Sequence, residues 1–122
     1  MAQHNDRGRE AEELASAHLT SKGFHILHRN WRYFQKEIDI VAEKGDEIII
    51  IEVKSRFGAD RVCADELLSR AKQRFIVDAA EAYLIRYGIE KECRIDVIII
   101  TFTGEGEKVE HIEGAFIPGV NW

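Results

Sequence analysis

The sequence of 122 residues is poor in proline and cysteine and contains no long hydrophobic run. Its single proline and the absence of low-complexity stretches argue against linkers and disorder, so we predict one domain over residues 1–122. Its two cysteines, Cys63 and Cys93, lack the CxxC spacing of a zinc site, and we expect free or buried thiols in a reducing cytoplasm. Neither an apolar stretch of membrane-span length nor a signal-peptide core is present, which predicts a cytoplasmic protein without a membrane partner.

Signature motifs of several enzyme classes are also absent. The five histidines show no HExxH or other paired-ligand spacing, and His18 on a helix stripe is better explained as a core-edge residue than as a ligand. The chain has no glycine-rich phosphate loop and no GxSxG elbow. Nucleoside-triphosphate chemistry and serine hydrolysis therefore lack the residues that they need.

The net charge of −5 does not by itself indicate a nucleic-acid-binding protein, but the charge is unevenly distributed. Residues 14–36 contain four bases and no acid, residues 37–53 contain six acids and one lysine, and residues 54–74 contain six bases and three acids. An acidic centre between two basic segments suits a metal ion beside a phosphate backbone, although ordinary surface charge gives the same pattern.

The most informative stretch is residues 36–56, KEIDIVAEKGDEIIIIEVKSR. Two strand-like runs flank the turn-forming dipeptide Gly45-Asp46, which predicts a tight hairpin. In that hairpin Asp39 lies opposite Glu52. Directly opposed carboxylates, with Cβ atoms about 4.5–5.5 Å apart, repel each other. We therefore interpret the pair as a site for a divalent cation, whose preferred ligands are carboxylate oxygens.

Strand alternation predicts which side chains share a face of this hairpin. Ile38 falls on one face with Ile40 and Ala42, and Val41 falls on the other face. Both faces are apolar over most of their length, which predicts a sheet covered by helices on both sides, with its charged residues at one end.

The whole chain predicts an α/β fold, a mixed β-sheet flanked by helices in the order αβββαβ(β). The predicted elements are a first helix ending near Gly23, a short strand over 24–27, an aromatic-rich connection over 28–33, the hairpin, a long helix from Ala64 or Asp65 to Tyr87, a buried strand over 94–102 and an edge strand over 109–116.

An aspartate, twelve residues and then Glu-x-Lys is the spacing of PD-(D/E)xK nucleases, and Asp39, Glu52 and Lys54 have it. Asp39 and Glu52 would hold Mg²⁺ (or Mn²⁺), which polarises the scissile phosphate and lowers the pKa of bound water. Lys54 would orient the water or stabilise the developing charge. The bare pattern is common, and the predicted hairpin register supplies the geometry that makes it specific.

Basic and aromatic side chains surround this stretch. Trp31 or Tyr33 could stack on a base, or could close one end of the core. The basic residues of the predicted long helix could equally form a solvated face. The residues that we predict to contact nucleic-acid phosphates are Arg29, Arg32, Lys36, Arg56 and Lys72.

Taken together, these motifs resemble the YraN family, bacterial proteins with a restriction-endonuclease-like fold similar to archaeal Holliday-junction resolvases. The resemblance rests on EIDIVA, IEVKSR, RIDV and HIEGAF, and on Gly8, Glu12, Ala15, Gly23, Asn30, Arg32 and Lys72. It implies a PD-(D/E)xK core in which Glu12 joins Asp39 and Glu52 as a third carboxylate. Without the resemblance, Glu12 would be a solvated glutamate that suits the helix dipole. The family usually has glycine where this chain has Lys36, whose side chain either crowds a nucleic acid or adds a phosphate contact.

We therefore expect a metal-dependent endonuclease that hydrolyses DNA phosphodiester bonds. Branched or junction DNA is implied by analogy with the resolvases, and a two-fold homodimer would suit an enzyme that cuts two strands symmetrically. Two alternatives stay open. One is a non-catalytic nucleic-acid-binding module on a nuclease-like scaffold, and the other is a protein-interaction module, which the acidic net charge favours.

Overall fold

The structure is a computed structural model that describes residues 2–58 and 68–118, with side chains from residue 8 onward. Two helices and five strands are formed: α1 (Ala2–Ser21), β1 (His25–Tyr33), β2 (Lys36–Lys44), β3 (Glu47–Phe57), α2 (Arg70–Arg86), β4 (Glu92–Thr103) and β5 (Gly106–Ile112). The predicted mixed α/β fold and its order of elements are confirmed.

One sheet contains the five strands in the order β1-β2-β3-β4-β5. The hairpin-linked neighbours are antiparallel, whereas β3 and β4 are parallel because the chain returns through α2 before it re-enters the sheet. The register predicted for the β2–β3 hairpin is confirmed over its ladder, in which Ile40 pairs with Ile51 and Val41 with Ile50. Gly45 turns the chain there with a φ of 60°.

The sheet is covered by one helix on each face, as its doubly apolar strands predict. Three small or aliphatic residues of α1 (Ala11, Ala15 and Leu19) pack on the face that carries Ile49 and Ile51. On the other face, Ile48 and Ile50 pack with a stripe of α2 that includes Ile76, Ala79 and Tyr83. Within the described residues, neither helix combines the length and the hydropathy that crossing a membrane requires.

The predicted face of Ile38 is wrong. Ile38 packs with Val41 on the α2 side, while Ile40 packs on the α1 side. The alternation fails between Ile38 and Ile40, whose partners in β1 are Trp31 and Arg29, and between those two partners lies Asn30, which has a φ of 54°. Asparagine tolerates this left-handed conformation better than most residues, and the backbone turns over there in both strands.

Three element boundaries differ from the prediction. Residues 28–33 belong to strand β1 rather than to a connection, because their backbone groups pair with β2 from His28 to Tyr33. The edge strand is shifted towards the N-terminus, since β5 covers Gly106–Ile112. Helix α2 begins at Arg70. Ser69 is its N-cap, and the Ser69 side chain accepts a hydrogen bond from the Lys72 backbone N–H. Ala64 and Asp65, the two predicted first residues of this helix, lie outside the described residues. Cys63 does so too.

Candidate metal site at the fork between two strands

Strands β2 and β3 separate beyond the Ile40–Ile51 pair. From this point β2 stays with β1, while β3 continues along β4, where Val53 pairs with Ile98. The Asp39 carboxylate lies in the fork and accepts a hydrogen bond of 2.7 Å from the Val53 backbone N–H. The fork thus replaces the backbone ladder that the prediction extended to Asp39 and Glu52, and it brings a carboxylate between the strands.

Glu52 is the buried acid on the opposite side of the fork, only 2% exposed. Its Oε1 lies 2.9 Å from the Lys72 ammonium. Its Oε2 is buried and has no hydrogen-bond partner among the described residues. A buried carboxylate oxygen without a donor is costly, so this atom is suited to receive a further positive group.

The electrostatics of Asp39 show how closely the acids approach. Burial and the charge of the nearby Glu52 carboxylate raise the pKa of Asp39 to about 7. The Val53 N–H opposes this rise and the charge of Glu12 adds to it. Two carboxylates this close cannot both ionise easily without a cation between them.

Glu12 reaches the same region from α1, as the resemblance implies. It accepts a hydrogen bond of 3.2 Å from the Asn30 side-chain amide and lies 3.7 Å from the Arg29 guanidinium. These partners hold Glu12 against β1, near enough to Asp39 for its charge to add to the rise of the Asp39 pKa. The oxygens of Glu12, Asp39 and Glu52 do not all lie within 4.8 Å of one another. The ligand atoms of a second cluster, described below, do lie within that distance.

The predicted basic residues divide into two groups. Lys54 follows Glu52 on the same face of β3, is half-buried, and makes no ion pair or hydrogen bond within residues 8–58 and 68–118. Lys72, predicted as a phosphate contact, lies in the site itself through its ion pair with Glu52. The two therefore flank Glu52 from the strand and from the helix.

The remaining bases lie further out. Arg29 is paired with Glu12 and, at 2.7 Å, with Glu13. Arg56 donates to Thr101 Oγ1 at 3.0 Å and to Glu110 at 3.3 Å, which fixes it to β4 and β5. The other two predicted contacts are exposed, and they are Arg32 and Lys36.

Lys36, the residue at which the family usually has glycine, does not contact the three acids. Its ammonium lies 5.3 Å from the centroid of the Phe75 ring on α2.

Trp31 packs edge-on against Tyr83 at 5.1 Å and donates through Nε1 to the Tyr87 hydroxyl at 3.3 Å. Trp31 thus closes one end of the core, the second of the two roles considered for it.

A second cluster of possible metal ligands escaped the sequence analysis. Ligand atoms of Asp96, His111 and Glu113 lie within 4.8 Å of one another. Asp96, which is fully buried, already accepts bonds from Arg94 at 2.9 and 3.1 Å, from His111 Nε2 at 2.8 Å and from the Gly114 N–H at 3.0 Å. A guanidinium against Asp96 makes this cluster an ion-pair network, to which Glu47 of β3 also belongs.

The motifs RIDV and HIEGAF contain this network, but nothing in them indicates that Arg94 and His111 meet at Asp96. His18 of α1 packs edge-on against the His111 ring at 5.6 Å. Burial, the charge of His111 and that of Lys22 lower the pKa of His18. This agrees with the prediction that His18 is a core-edge residue.

Fold and site together define an α/β protein in which a mixed five-stranded sheet, covered by a helix on each face, holds a buried glutamate and a half-buried aspartate at a strand fork. The chain belongs to the Uncharacterised protein family UPF0102, which matches residues 11–100. The predicted resemblance to YraN proteins is thereby confirmed, since this is the same family.

Relatives from several bacteria match almost the whole chain. A UPF0102 protein of Phocaeicola vulgatus is 40% identical over 98% of this chain and 99% of its own length. One from Porphyromonas gingivalis is 38% identical over 95% of this chain and 87% of its own. A third, from Flavobacterium psychrophilum, is 37% identical over 95% of this chain and 98% of its own. The match to these proteins therefore covers the fork, both helices and the ion-pair network.

Proposed function

We propose that the chain is a metal-dependent endonuclease with a PD-(D/E)xK-type core that hydrolyses DNA phosphodiester bonds. The observation that carries this proposal is the Asp39–Glu52 pair at the fork, in which Glu52 Oε2 is buried and has no partner in the part of the chain that the structure describes. Mg²⁺ and Mn²⁺ are hard cations that favour such oxygens. Asp39 and Glu52 would hold the ion, with Glu12 as a third acid beside them.

When bound, the cation would polarise the scissile phosphodiester and lower the pKa of water nearby. Lys54 supplies a positive charge two residues beyond Glu52, free to face the phosphate that is cut and to stabilise negative charge as it develops. Lys72 neutralises part of the charge on Glu52. It therefore adds a positive charge beside a proposed ligand of the cation.

The exposed Lys36 and Arg32 lie at the same end of the sheet, on the strands that approach the fork. Their charges suit the DNA backbone and predict binding that weakens as salt is added. The proposed partner is DNA, with branched or junction structures as the substrates to test first. A two-fold homodimer would present two such sites to opposite strands.

The test is a cleavage assay on linear, flapped and four-way DNA with Mg²⁺ or Mn²⁺. We expect the wild type to cut at least one of them, and Asp39→Asn and Glu52→Gln to reduce cutting to background. Lys54→Ala should lower the rate by about 10²–10³-fold, the usual cost of one electrostatic stabiliser. Matched controls are Asp46→Asn and Glu105→Gln, exposed turn acids whose loss should leave cutting unchanged. Cutting that survives Asp39→Asn and Glu52→Gln would exclude this site.

The ion pair between Lys72 and Glu52 favours a second candidate, a nucleic-acid-binding module without catalysis. An ammonium already compensates part of the acid charge, so the fold could persist with no metal at all. This candidate predicts salt-dependent DNA binding, no cleavage in any metal, and no heat of Mn²⁺ binding by calorimetry with or without DNA.

A further inference from the structure

The turn between β1 and β2 exposes an aromatic residue that the fold does not require. Phe34 and Gln35 form a two-residue turn closed by the Tyr33–Lys36 pair. Phe34 has a φ of 58° and is 83% exposed. Such turns favour glycine or asparagine, because a large side chain at positive φ is sterically costly. Phe34 thus occupies a strained backbone position and buries little apolar surface in return, which is typical of residues kept for function.

The ring of Phe34 begins a continuous line of contacts that ends in the proposed site. Its centroid lies 4.6 Å from that of Tyr33, and the Tyr33 ring lies 6.0 Å from that of Phe75. The ammonium groups of Lys36 and Lys72 lie 5.3 and 5.4 Å from the Phe75 centroid. Lys72 in turn contacts Glu52 at 2.9 Å. We call these five residues, Tyr33, Phe34, Lys36, Lys72 and Phe75, the hairpin-tip patch.

We propose that Phe34 stacks on an unpaired base of the DNA substrate beside the phosphate that is cut. Aromatic rings interleaved with ammonium groups suit exposed bases and their phosphates, since every base offers a π-face and every phosphate a negative charge. In a fully paired duplex the base faces are occupied by their stacked neighbours. The patch therefore selects DNA in which a base lies unpaired next to a duplex, as at a flap, bulge or branch.

This inference rests on the proposed function and names its substrate class. A partner protein or a second copy of the chain could also cover an exposed phenylalanine. Charge favours DNA over these, because the exposed Lys36 of the patch and the exposed Arg32 beside it match a phosphate backbone. Self-association of the chain through this patch is one of the outcomes that the experiment distinguishes.

The experiment measures binding in EDTA to two probes by fluorescence anisotropy: a duplex with a bulge that contains 2-aminopurine, and the same duplex fully paired. The wild type should prefer the bulged probe and change its 2-aminopurine emission through stacking. Phe34→Gly should lose about tenfold in affinity for the bulged probe alone, because one stacked base contributes that much. Phe34→Trp should retain the preference.

Two controls separate stacking from folding. Glycine adopts positive φ freely, so Phe34→Gly should keep or raise the Tm, and its loss of binding is then not a loss of structure. Ile85→Ala removes another exposed apolar side chain, 74% exposed in the last turn of α2, and should bind both probes like the wild type.

The inference would be overturned if the wild type bound the bulged and the paired probe equally well and Phe34→Gly did the same. This holds whether or not the protein cuts DNA. Cutting of DNA that does not depend on Phe34 would leave the proposed function standing without this inference. Phe34-dependent binding without cutting in Mg²⁺ or Mn²⁺ would support the inference and contradict the proposed hydrolysis. If Phe34→Gly changes the sedimentation of the protein and not its DNA binding, the patch joins two copies and the inference is overturned.

Discussion

The Lys72 ammonium lies 2.9 Å from Oε1 of Glu52, and it connects helix α2 to the buried acid of the strand fork. The glutamate side chain is only 3% exposed, whereas the lysine is 29% exposed. A half-buried lysine of α2 thus contacts an acid that is almost completely buried in the sheet. Its other oxygen remains without a partner among the described residues.

Lys72→Met should leave Glu52 with an uncompensated buried charge and lower the free energy of unfolding by about 2–3 kcal/mol in EDTA. The matched control is Lys91→Met, which breaks the exposed pair of Lys91 with Glu43 and should cost less than about 1 kcal/mol. Urea denaturation measures both. Equal losses in the two variants would show that Glu52 gains nothing special from Lys72.

Mg²⁺ should stabilise Lys72→Met more than it stabilises the wild type. In the variant, a cation bound at Glu52 replaces the missing ammonium, and binding to the folded state alone raises stability. Tm measured across a Mg²⁺ titration tests this expectation, with Glu52→Gln as the variant that should not respond. A response in Glu52→Gln would place the cation elsewhere.

Asp39 predicts a pH dependence of stability. Burial and Glu52 raise its pKa from 3.8 to about 7. Between these values the folded protein holds a proton that the unfolded chain has lost, so the free energy of unfolding falls as the pH rises through this window. In EDTA at pH 8, Asp39→Asn should therefore melt above the wild type, and near pH 4 the two Tm values should approach each other.

Asp46→Asn, an exposed acid of the β2–β3 turn, is the control and should show no such difference. Mg²⁺ at pH 8 should raise the Tm of the wild type and leave that of Asp39→Asn nearly unchanged. An Asp39→Asn protein that melts below the wild type at pH 8 in EDTA would mean that the ionised carboxylate stabilises the fold.

Arg94→Met tests whether the second acidic cluster is structural. Removing the guanidinium leaves the fully buried Asp96 charge unpaired and should cost about 3–5 kcal/mol. The exposed Arg32→Met should cost little. Addition of EDTA to the wild type should not reproduce the effect of Arg94→Met. If EDTA does so, a metal rather than Arg94 compensates Asp96.

The first two strands change face at the position of Asn30. Asn30→Gly keeps the left-handed conformation and loses only the bond to Glu12, so its stability should change by less than about 1 kcal/mol. Asn30→Val should lose about 2 kcal/mol, because a β-branched residue resists positive φ. Urea denaturation of both variants separates the backbone effect from the lost hydrogen bond.

The sequence predicted the hairpin well because its information is local. Gly45-Asp46 marks the turn, the register follows from it, and Ile40 pairs with Ile51 as expected. Both faces of the strands are apolar, which correctly indicated a covered sheet. That Glu12 belongs near the sheet acids was implied by the family resemblance alone, since nothing in the α1 sequence indicates which sheet residue it faces.

The errors share one physical cause, dependence on contacts between distant parts of the chain. The positive φ of Asn30 moves Ile38 to the other face, and no two-residue periodicity can show this. Likewise, Arg94 and His111 meet at Asp96 only because β5 returns alongside β4. The exception is the strained Phe34 turn, a local feature that was missed because its composition does not resemble a turn.

The parallel ladder between β3 and β4 runs from the Glu47–Glu92 pair to the Phe57–Phe102 pair, far beyond the point at which β2 departs. Amides held in such a central ladder exchange with solvent only through global unfolding, whereas edge strands open locally at lower cost. We therefore expect the amides around Glu52 and Lys54 to be among the most slowly exchanging of the sheet. The β1–β2 turn with Phe34 lies at the edge of the sheet that β1 forms. This turn can adjust to an irregular ligand while Glu52 and Lys54 keep their positions.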